Sequence, residues 1–392
     1  MDCRVVRIGT RGSALARAQT LAVAEALGRV QPEVQCELVL ITTGGDRSQP
    51  SNRPGPDWGS GIFVKELEVA LLRGAIDLAV HSLKDVPPVG DPRLALAAFP
   101  SREDPLDVLV TRHGLTAAPP APPDRRPQDV PVRPERRPLD KPAAAAMLSP
   151  AVPGAAVAGP LAARALPDSP SQNVPEAPGD QLAHVLEVPN GQPQNVPETP
   201  EGRVLDVLAT GARVGTSSAR RAAFLGAVRP DLVWLPIRGN VETRLRKLGD
   251  GQYDAVVLAR AGLLRLGLDV PYLVLGPALL PPAPGQGALA IQTRADDAEL
   301  QALVAPLDDA ATHAAVRAER HFMALLEGGC RLPVGALAAR AADGTLTLLG
   351  GYAGEDGQVR IDQARGSLAA PEALAVSLAR QLRQAAPRVL PV

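Results

Sequence analysis

The amino-acid sequence predicts an α/β protein in which the strands of a largely parallel sheet are flanked by helices. Strand-like and helix-like apolar patterns alternate over residues 4–112, and the alternation resumes after about residue 203. A short internal repeat is a further observation. Residues 7–13 (RIGTRGS) resemble residues 213–218 (RVGTSS), and both lead into an alanine-rich helical pattern. The repeat predicts two similar lobes, each with a site at a strand-to-helix turn.

The first region is expected to contain three strands and two helices. Apolar runs predict strands at 4–8 and 37–41, whereas apolar residues at helical spacing predict helices at 13–28 and 61–73. Residues 77–80, in which three apolar residues follow Asp77, are predicted to form a buried strand. This order is typical of a sheet with helices packed on its faces.

Residues 113–203 interrupt this alternation. The segment is rich in proline and alanine, and it repeats QNVPE at 172–176 and 194–198. It has no sustained apolar period, so it cannot bury enough surface to offset the entropy of ordering. We interpret it as a flexible insertion. A regulatory or partner-binding role is the alternative.

Strand and helix patterns return after the insertion. Strands are predicted at 213–214, 232–236, 255–258 and 288–291, and helices at 218–227 and 241–248. Pro281, Pro282 and Pro284 indicate a hinge-like crossing between domains. A smaller last unit follows, with a helix at 311–326, strands near 334–338, 345–350 and 359–362, and a helix from residue 371.

The 392 residues are enough for two or three domains, each with its own core. We expect domain 1 at 1–100 and 287–305, domain 2 at 105–112 and 204–281, the insertion at 113–203, and domain 3 at 308–392.

Composition excludes several classes of function. The formal net charge of -1 gives no electrostatic basis for nonspecific nucleic-acid binding, and an aromatic content of 2% argues against base-stacking surfaces. Cys3, Cys36 and Cys330 are too widely separated to indicate a zinc site, and they suit reduced thiols. Residue 1 leads directly into a strand pattern without an apolar signal core, and no apolar span predicts a membrane helix. We therefore expect a cytoplasmic protein without a metal.

Cys330 lies after two glycines and before an apolar strand-like run, within LEGGCRLPVG. Neither Gly328 nor Gly329 has a side chain, so a bulky group can approach the sulfur. The thiol is compatible with a nucleophile, a metal ligand or an attachment point. A small buried apolar group is the ordinary alternative for a free cysteine.

The two repeated turns have the residues of an anion site. Each places hydroxyls and backbone N–H groups at a helix N-terminus, where the positive end of the helix dipole lies. The candidates are Arg11, Ser13 and Gln19 in the first lobe and Thr216, Ser217, Ser218, Arg220 and Arg221 in the second. Ordinary N-capping by Ser or Thr is the alternative.

Further arginines, at Arg238, Arg244 and Arg265, favour a ligand with several carboxylates, since guanidinium pairs with carboxylate through two hydrogen bonds. Phosphate is the competing anion. The chain contains neither a Walker-type nor a GxGxxG pattern.

The segment HSLKDVPP (81–88) follows the buried strand at 77–80 and is stopped by two prolines. Ligands of open α/β sheets gather at the carboxyl ends of strands, where Ser82, Lys84 and Asp85 are expected. Asp85 should stay ionised beside Lys84, so it is a candidate to stabilise a developing cation or to move a proton. A Lys–Asp surface pair is the alternative, and His81 is interpreted as structural.

Nine motifs together resemble the porphobilinogen deaminase family, also called hydroxymethylbilane synthases. They occur in the family's order and span nearly all of the chain outside the insertion. These motifs are RIGTRGSALA (7–16), GIFVKELEVALL (61–72), DLAVHSLKDVP (77–87), REDPLDVLV (102–110), VGTSSARR (214–221), PIRGNVETRL (236–245), YDAVVLARAGLLRLGL (253–268), PAPGQGALAI (282–291) and LEGGCRLPVG (326–335).

The resemblance implies a monomeric cytoplasmic enzyme with two periplasmic-binding-protein-like α/β lobes around a cleft and a smaller α/β C-terminal domain. It implies a dipyrromethane cofactor attached to Cys330 and the conversion of porphobilinogen to hydroxymethylbilane, with Asp85 as the catalytic carboxylate. It further implies that Ser82, Lys84, Thr216, Ser217, Ser218, Arg220 and Arg221 hold the cofactor. The substrate-binding residues would be Arg11, Ser13, Gln19, Arg238, Gly239, Arg244 and Arg265.

The chain departs from the family pattern at two positions besides the insertion. Ala219 stands where leucine is common, and Ser60 replaces a lysine often found before the helix at 61–73. The second change removes a cation from a loop over the cleft. Two rival functions stay open: a non-catalytic binding protein with a buried Cys330, and a degenerate enzyme whose insertion serves as a scaffold for partners.

Overall fold

The computed structural model describes residues 4–41, 64–112, 203–327, 333–354 and 356–384. The first part of the chain contains β1 (Arg4–Thr10), α1 (Ala14–Val30), β2 (Val34–Leu40), α2 (Lys65–Leu72), β3 (Leu78–Ser82), β4 (Leu94–Ala98) and β5 (Asp107–Thr111). The middle part contains β6 (Arg213–Gly215), α3 (Ala219–Val228), β7 (Val233–Leu235), α4 (Val241–Gly249), β8 (Ala255–Ala259), α5 (Arg260–Arg265) and β9 (Leu273–Leu275). The last part contains β10 (Leu289–Arg294), α6 (Ala298–Val304), α7 (Ala310–Glu327), β11 (Val334–Arg340), β12 (Leu346–Ala353), β13 (Val359–Gly366) and α8 (Pro371–Gln384).

The first two sheets share one topology. The first has the order β2-β1-β3-β10-β4, and the second has the order β7-β6-β8-β5-β9. β1 and β6 each pair in parallel with two neighbours, and one strand that is distant in the sequence, β10 in the first sheet and β5 in the second, is inserted antiparallel. The chain therefore forms two lobes of the same plan, which agrees with the internal repeat.

The repeat extends to side-chain contacts at the start of each lobe. Arg7 donates to the carboxylate of Asp77 from its backbone N–H and its guanidinium, and Asp77 N–H donates back to Arg7 O. Arg213 and Asp254 make the same contacts in the second lobe, at 2.8 Å for both backbone bonds. The first pair ties β1 to the start of β3, and the second ties β6 to the start of β8.

Two chain segments cross between the lobes. β5 leaves the first lobe to join the second sheet, and β10 returns to the first. At the crossing Gly287 has a φ of +82°, and a Cβ there would lie 2.2 Å from Glu103 O. Glu103 N–H also donates to Gly287 O at 3.1 Å. Glycine is therefore required, because no side chain fits between the crossing segments.

The third sheet is antiparallel, with the order β11-β12-β13, and it is covered by α7 and α8. Phe322 and Leu378 from the two helices pack with Leu348 of β12 in one apolar cluster. The opposite face contributes Leu349 and Ile361 to the core of the second lobe. The small domain is thereby joined to that lobe by apolar contact.

The structure confirms the predicted fold class: an α/β protein with two similar lobes and a smaller C-terminal α/β domain. The expectation of a largely parallel sheet is confirmed, since four of the five strands in each lobe sheet run in the same direction. Each lobe sheet has antiparallel pairings for the inserted strand with both of its neighbours, because β5 and β10 arrive from the opposite lobe. The predicted insertion, at 113–203, lies outside the described residues except for Arg203. No helix in the described ranges has the length and apolar character needed to cross a bilayer.

Helix α7 is joined to the crossing through Glu319, whose side chain is fully buried. Its carboxylate accepts two hydrogen bonds from the Arg102 guanidinium, at 2.6 and 3.0 Å. It also accepts from Gly285 N–H at 2.7 Å and from Ala338 N–H at 2.8 Å. A single carboxylate thus holds the crossing segments, α7 and β11 together.

We expect Glu319→Ala to lower the free energy of unfolding by about 3–5 kcal/mol, because Arg102 would be left buried without a counter-charge. Urea denaturation measures this loss. Glu372→Ala is the matched control, since it breaks an exposed pair between α8 and Arg317 of the same helix α7 and should cost about 0–1 kcal/mol. Equal losses in the two variants would show that the buried carboxylate has no special role.

Candidate active site

The first lobe places its polar cluster at the carboxyl end of β3. The strand is buried up to His81, and a short 3-10 helix, Leu83–Asp85, follows at once. Leu83 is fully buried, and its N–H donates to Ala288 O at 3.0 Å. Because Leu83 anchors the turn, Lys84 and Asp85 lie at the edge of the sheet, half-buried.

His81 faces the interior of the first lobe. Its Nε2 lies 2.9 Å from Gln292 Oε1, and burial lowers the pKa of His81 to about 4. The imidazole is therefore neutral and donates from Nε2 to the amide oxygen. This agrees with the structural role expected for it.

Helix α1 reaches the same turn from the other side. Gln19 Nε2 donates to Ser82 Oγ at 2.9 Å, which brings these two predicted residues together. Ser13 caps α1 and accepts from Ala16 N–H at 3.3 Å. Arg11 lies between β1 and this cap.

The predicted turn of the second lobe is bonded to its own backbone. Thr216 Oγ1 accepts from Ser218 N–H at 3.2 Å, and Ser218 caps α3 by accepting from Arg221 N–H at 3.4 Å. Ser217 Oγ donates to Ile237 O at 2.7 Å. Both serine caps are thus present, and they shape the two helix N-termini at which the candidate arginines lie.

Arg220 and Arg221 share one buried carboxylate, that of Asp107 at the start of β5. Arg220 donates to Asp107 Oδ2 at 2.6 Å, and Arg221 donates to Oδ1 at 2.6 Å. All three side chains are buried. Burial alone would raise the pKa of Asp107, but the two guanidinium groups outweigh it and hold this pKa well below its usual range.

Gln286 connects this ion pair to the first lobe. Its Nε2 donates to Asp107 Oδ1 at 2.9 Å and to Pro105 O at 2.7 Å, and its Oε1 accepts from Lys84 Nζ at 3.3 Å. Lys84 from one lobe and Asp107 from the other are therefore joined through one amide.

Electrostatic interactions extend the cluster to Asp85 and Arg244. Burial lowers the pKa of Lys84 to about 8, opposed by Asp85 and assisted by Arg221. Burial also lowers the pKa of Arg244. Arg221 adds to this effect, and Asp85 opposes it. The six groups together, which we call the cationic cluster, are Lys84, Asp85, Asp107, Arg220, Arg221 and Arg244. They contain four cations and two carboxylates.

The remaining predicted residues flank this cluster or the crossing. Arg238 O accepts from Lys247 Nζ at 3.0 Å, and Gly239 O accepts from Arg244 Nε at 2.9 Å. Gly239 has a φ of +115°, a conformation that favours glycine. Arg265 donates to Gly287 O at 2.6 Å, so it binds the crossing segment.

Cys330, the expected attachment site of the cofactor, lies outside the described residues, as do Cys3 and Ser60. Helix α7 ends at Glu327, three positions before it. The described ranges contain no group of His, Cys, Asp and Glu side chains that is suited to a metal ion.

Two lobes of one plan, with cations from both meeting at the carboxyl end of β3, define a two-lobed α/β protein with a cation-rich cluster at that end of the strand. Comparison with known proteins then identifies the family. The model of the porphobilinogen deaminase dipyrromethane cofactor binding domain matches residues 6–123 and 165–302, and the model of the porphobilinogen deaminase C-terminal domain matches 313–384. The chain belongs to the porphobilinogen deaminase family.

Individual relatives agree with this assignment. A porphobilinogen deaminase of Roseiflexus sp. (strain RS-1) is 39% identical over 98% of this chain and 97% of that protein. A porphobilinogen deaminase of Syntrophobacter fumaroxidans is 38% identical over 91% of this chain and 87% of that protein.

Among solved structures, the Bordetella pertussis BvgS periplasmic VFT2 domain is 14% identical, covers 78% of this chain and 87% of that one, and has a TM-score of 0.34.

The cationic cluster fits a dipyrromethane with acidic side chains. Cations exceed carboxylates by two. Arg220 Nε is buried and has no hydrogen-bond partner among the residues that the structure describes. The Lys84 ammonium has three N–H donors. Within the described residues one of them is used, in the hydrogen bond to Gln286 Oε1. Donors therefore remain for carboxylate oxygens.

Sequence reasoning missed Asp107 and Gln286. Both lie within motifs that carry the family resemblance, REDPLDVLV and PAPGQGALAI. The available signal was a carboxylate at the first position of an apolar strand, since Asp is rarely fully buried unless it is paired. Its two arginine partners are 113 and 114 positions away in the chain.

We expect Asp107→Asn to lower the free energy of unfolding at pH 7 by about 3 kcal/mol or more, because two buried guanidinium groups would lose their counter-charge. Asp254→Asn is the control, since its pair with Arg213 is more than one third exposed and should contribute about 0–1 kcal/mol. Denaturant titrations measure both.

The pH dependence follows from the depressed pKa of Asp107. The carboxylate stabilises the fold fully above its unfolded pKa of about 4, and this stabilisation is lost as the pH falls toward the folded value. The difference between wild type and Asp107→Asn should therefore shrink below about pH 4. A difference that does not change with pH would contradict this account.

Proposed function

We propose that the chain catalyses the stepwise deamination and condensation of four porphobilinogen molecules on a dipyrromethane primer attached to Cys330. The products are hydroxymethylbilane and ammonia, and the enzyme is a transferase of tetrapyrrole biosynthesis. It would act as a cytoplasmic monomer without a metal. The observation that carries the proposal is the cationic cluster, in which Lys84 and Asp85 of one lobe meet three arginines of the other.

Asp85 is proposed as the catalytic carboxylate. Loss of ammonia leaves positive charge on the substrate ring, and a fixed carboxylate beside that ring lowers the energy of the charge. Asp85 is the acidic residue of the turn that β3 and Leu83 position, and its charge opposes the effect of burial, which lowers the pKa of Lys84 and of Arg244.

The cations are proposed to bind the acidic side chains of cofactor and substrate. Lys84, Arg220 and Arg221, with Ser82, Thr216, Ser217 and Ser218, would hold the primer. Arg11, Ser13, Gln19, Arg238, Gly239, Arg244 and Arg265 would hold the incoming ring and the growing chain. When bound, the dipyrromethane supplies the nucleophilic pyrrole carbon to which new rings are added. Partial burial strengthens each contact, because the surrounding dielectric is low.

The domain boundaries belong to the same proposal: 1–100 with 287–305, 105–112 with 204–281, and 308–392. The exchange of β5 and β10 between the sheets supports a division at the crossing.

Replacement of Asp85 tests the mechanism. Asp85→Ala should lower kcat by about 10²–10⁴-fold, since the variant lacks the group that stabilises the developing cation. Asp91→Ala is the control. Asp91 lies six positions after Asp85 and is paired with the exposed Arg93, so its loss should leave turnover unchanged. Wild-type turnover in Asp85→Ala would remove the catalytic assignment.

Intact mass spectrometry of the native protein tests the attachment site. The wild-type mass should exceed that of the bare chain by one dipyrromethane, whereas Cys330→Ser should have the mass of the bare chain. A bare wild-type chain from cells that make porphobilinogen would favour the rival binding protein. Tight binding of porphobilinogen in calorimetry without ammonia release would support that rival.

The proposed insertion is expected to lie outside the mechanism. The family model leaves residues 124–164 unmatched. Loop length contributes little to closure entropy, so deletion of residues 114–202 should preserve turnover within a few-fold. Steady-state kinetics and a melting curve of the deletion variant measure this. Loss of activity with an unchanged melting temperature would instead favour a functional role for the segment.

A further inference from the structure

The amide of Gln286 can adopt only one orientation. Its Nε2 faces Asp107 Oδ1 and Pro105 O, and both of these atoms can only accept. Its Oε1 faces Lys84 Nζ, which in its charged form can only donate. A flipped amide would place its oxygen against two acceptors and its nitrogen against an ammonium. The side chain therefore always presents an oxygen to Lys84.

The backbone around Gln286 is equally constrained. Gly285 and Gly287 have φ values of +74° and +82°, and Gln286 N–H donates to Ala283 O at 2.8 Å. A Cβ at Gly287 would lie 2.2 Å from Glu103 O and a Cβ at Gly285 would lie 2.9 Å from the Leu83 side chain, so both flanking residues pack closely against neighbouring segments. The amide oxygen is thus held at a fixed point beside the Lys84–Asp85 turn.

Lys84 is in a mixed electrostatic environment. Asp85 on its own turn and Asp107 from β5 favour the ammonium, whereas Arg220 and Arg221 from α3 disfavour it. Burial is the largest effect and lowers the pKa of Lys84 to about 8. The charge of Lys84 is therefore sensitive, near neutral pH, to the gain or loss of one hydrogen bond to the ammonium.

We propose that Gln286 is a positioning residue that fixes the Lys84 ammonium in place and keeps it protonated, so that it acts together with the arginine pair on Asp107. One amide thereby couples the polar turn of the first lobe to the guanidinium groups of the second. The use of this ammonium for carboxylate binding rests on the proposed function. The effect of Gln286 on the Lys84 proton does not.

The ionisation of Lys84 is measurable without any assay of turnover. The chain has only four lysines, Lys65, Lys84, Lys141 and Lys247, so their Cε signals are resolvable by NMR after labelling with ¹³C-lysine. Lys84→Arg assigns the signal of interest. Titration of the holoenzyme then gives the Lys84 pKa, with Lys65 and Lys247 as internal references.

Gln286→Met is the main variant, because methionine has a similar length and cannot accept a strong hydrogen bond. We expect the Lys84 pKa to fall by about one unit, a tenfold change in its ionisation constant. Gln286→Glu keeps an oxygen toward Lys84, so there the pKa should be unchanged or raised. If Gln286→Met does not fold, Gln286→Ala removes the same oxygen and should show the same fall.

Gln292→Met is the matched control. Gln292 is also a buried glutamine near β3, but its amide contacts His81 and Glu68. This variant should leave the Lys84 pKa unchanged. An unchanged Lys84 pKa in Gln286→Met, or an equal fall in Gln292→Met, would overturn the proposal.

The pH profile of kcat/KM separates this inference from the proposed function. Its alkaline limb should move to lower pH in Gln286→Met and vanish in Lys84→Arg, because arginine stays charged. An altered Lys84 pKa with an unaltered profile would support the role of Gln286 and remove the role of Lys84 in carboxylate binding.

Discussion

The buried carboxylate of Asp107 is the interaction on which the site depends. Two guanidinium groups in a protein interior repel each other and are poorly solvated, so they need a counter-charge at short range. Asp107 supplies it from the first residue of β5, with Arg220 and Arg221 each at 2.6 Å. Arg220, Arg221 and Asp107 together carry one surplus positive charge, and the cationic cluster as a whole carries a surplus of two. The arginines proposed to bind the cofactor therefore also contribute to structural stability.

The position of Asp107 follows from the exchange of strands between the lobes. β5 leaves the first lobe and enters the second sheet, so its first residue lies at the crossing, beside Gln286 on the returning segment. Glu319 ties that crossing to α7, and Arg320 of the same helix donates to Val86 O and Pro87 O, just after the Asp85 turn. The helix that precedes Cys330 is thus bound both to the crossing and to the candidate catalytic turn.

A surplus of cations is consistent with a polymerising reaction on acidic rings. Every added ring brings new carboxylates, so binding groups must outnumber the single carboxylate that assists the chemistry. Ser82, Gln19 and the capped helix N-termini shape the rim of the site, but their hydrogen bonds within the protein show that they also have structural roles. The N-capping that was expected as the alternative to an anion site is thus present at both turns.

The sequence by itself determined the α/β class, the two-lobe repeat and the turn that presents Lys84 and Asp85, since apolar periodicity and a proline stop are local signals. It also indicated the arginine-rich turns. Only the tertiary structure decided the antiparallel insertion of β5 and β10, the pairing of Asp107 with its arginines, and the bridge through Gln286. These contacts join residues more than one hundred positions apart. No local pattern encodes them, because they depend on which segments cross between the lobes.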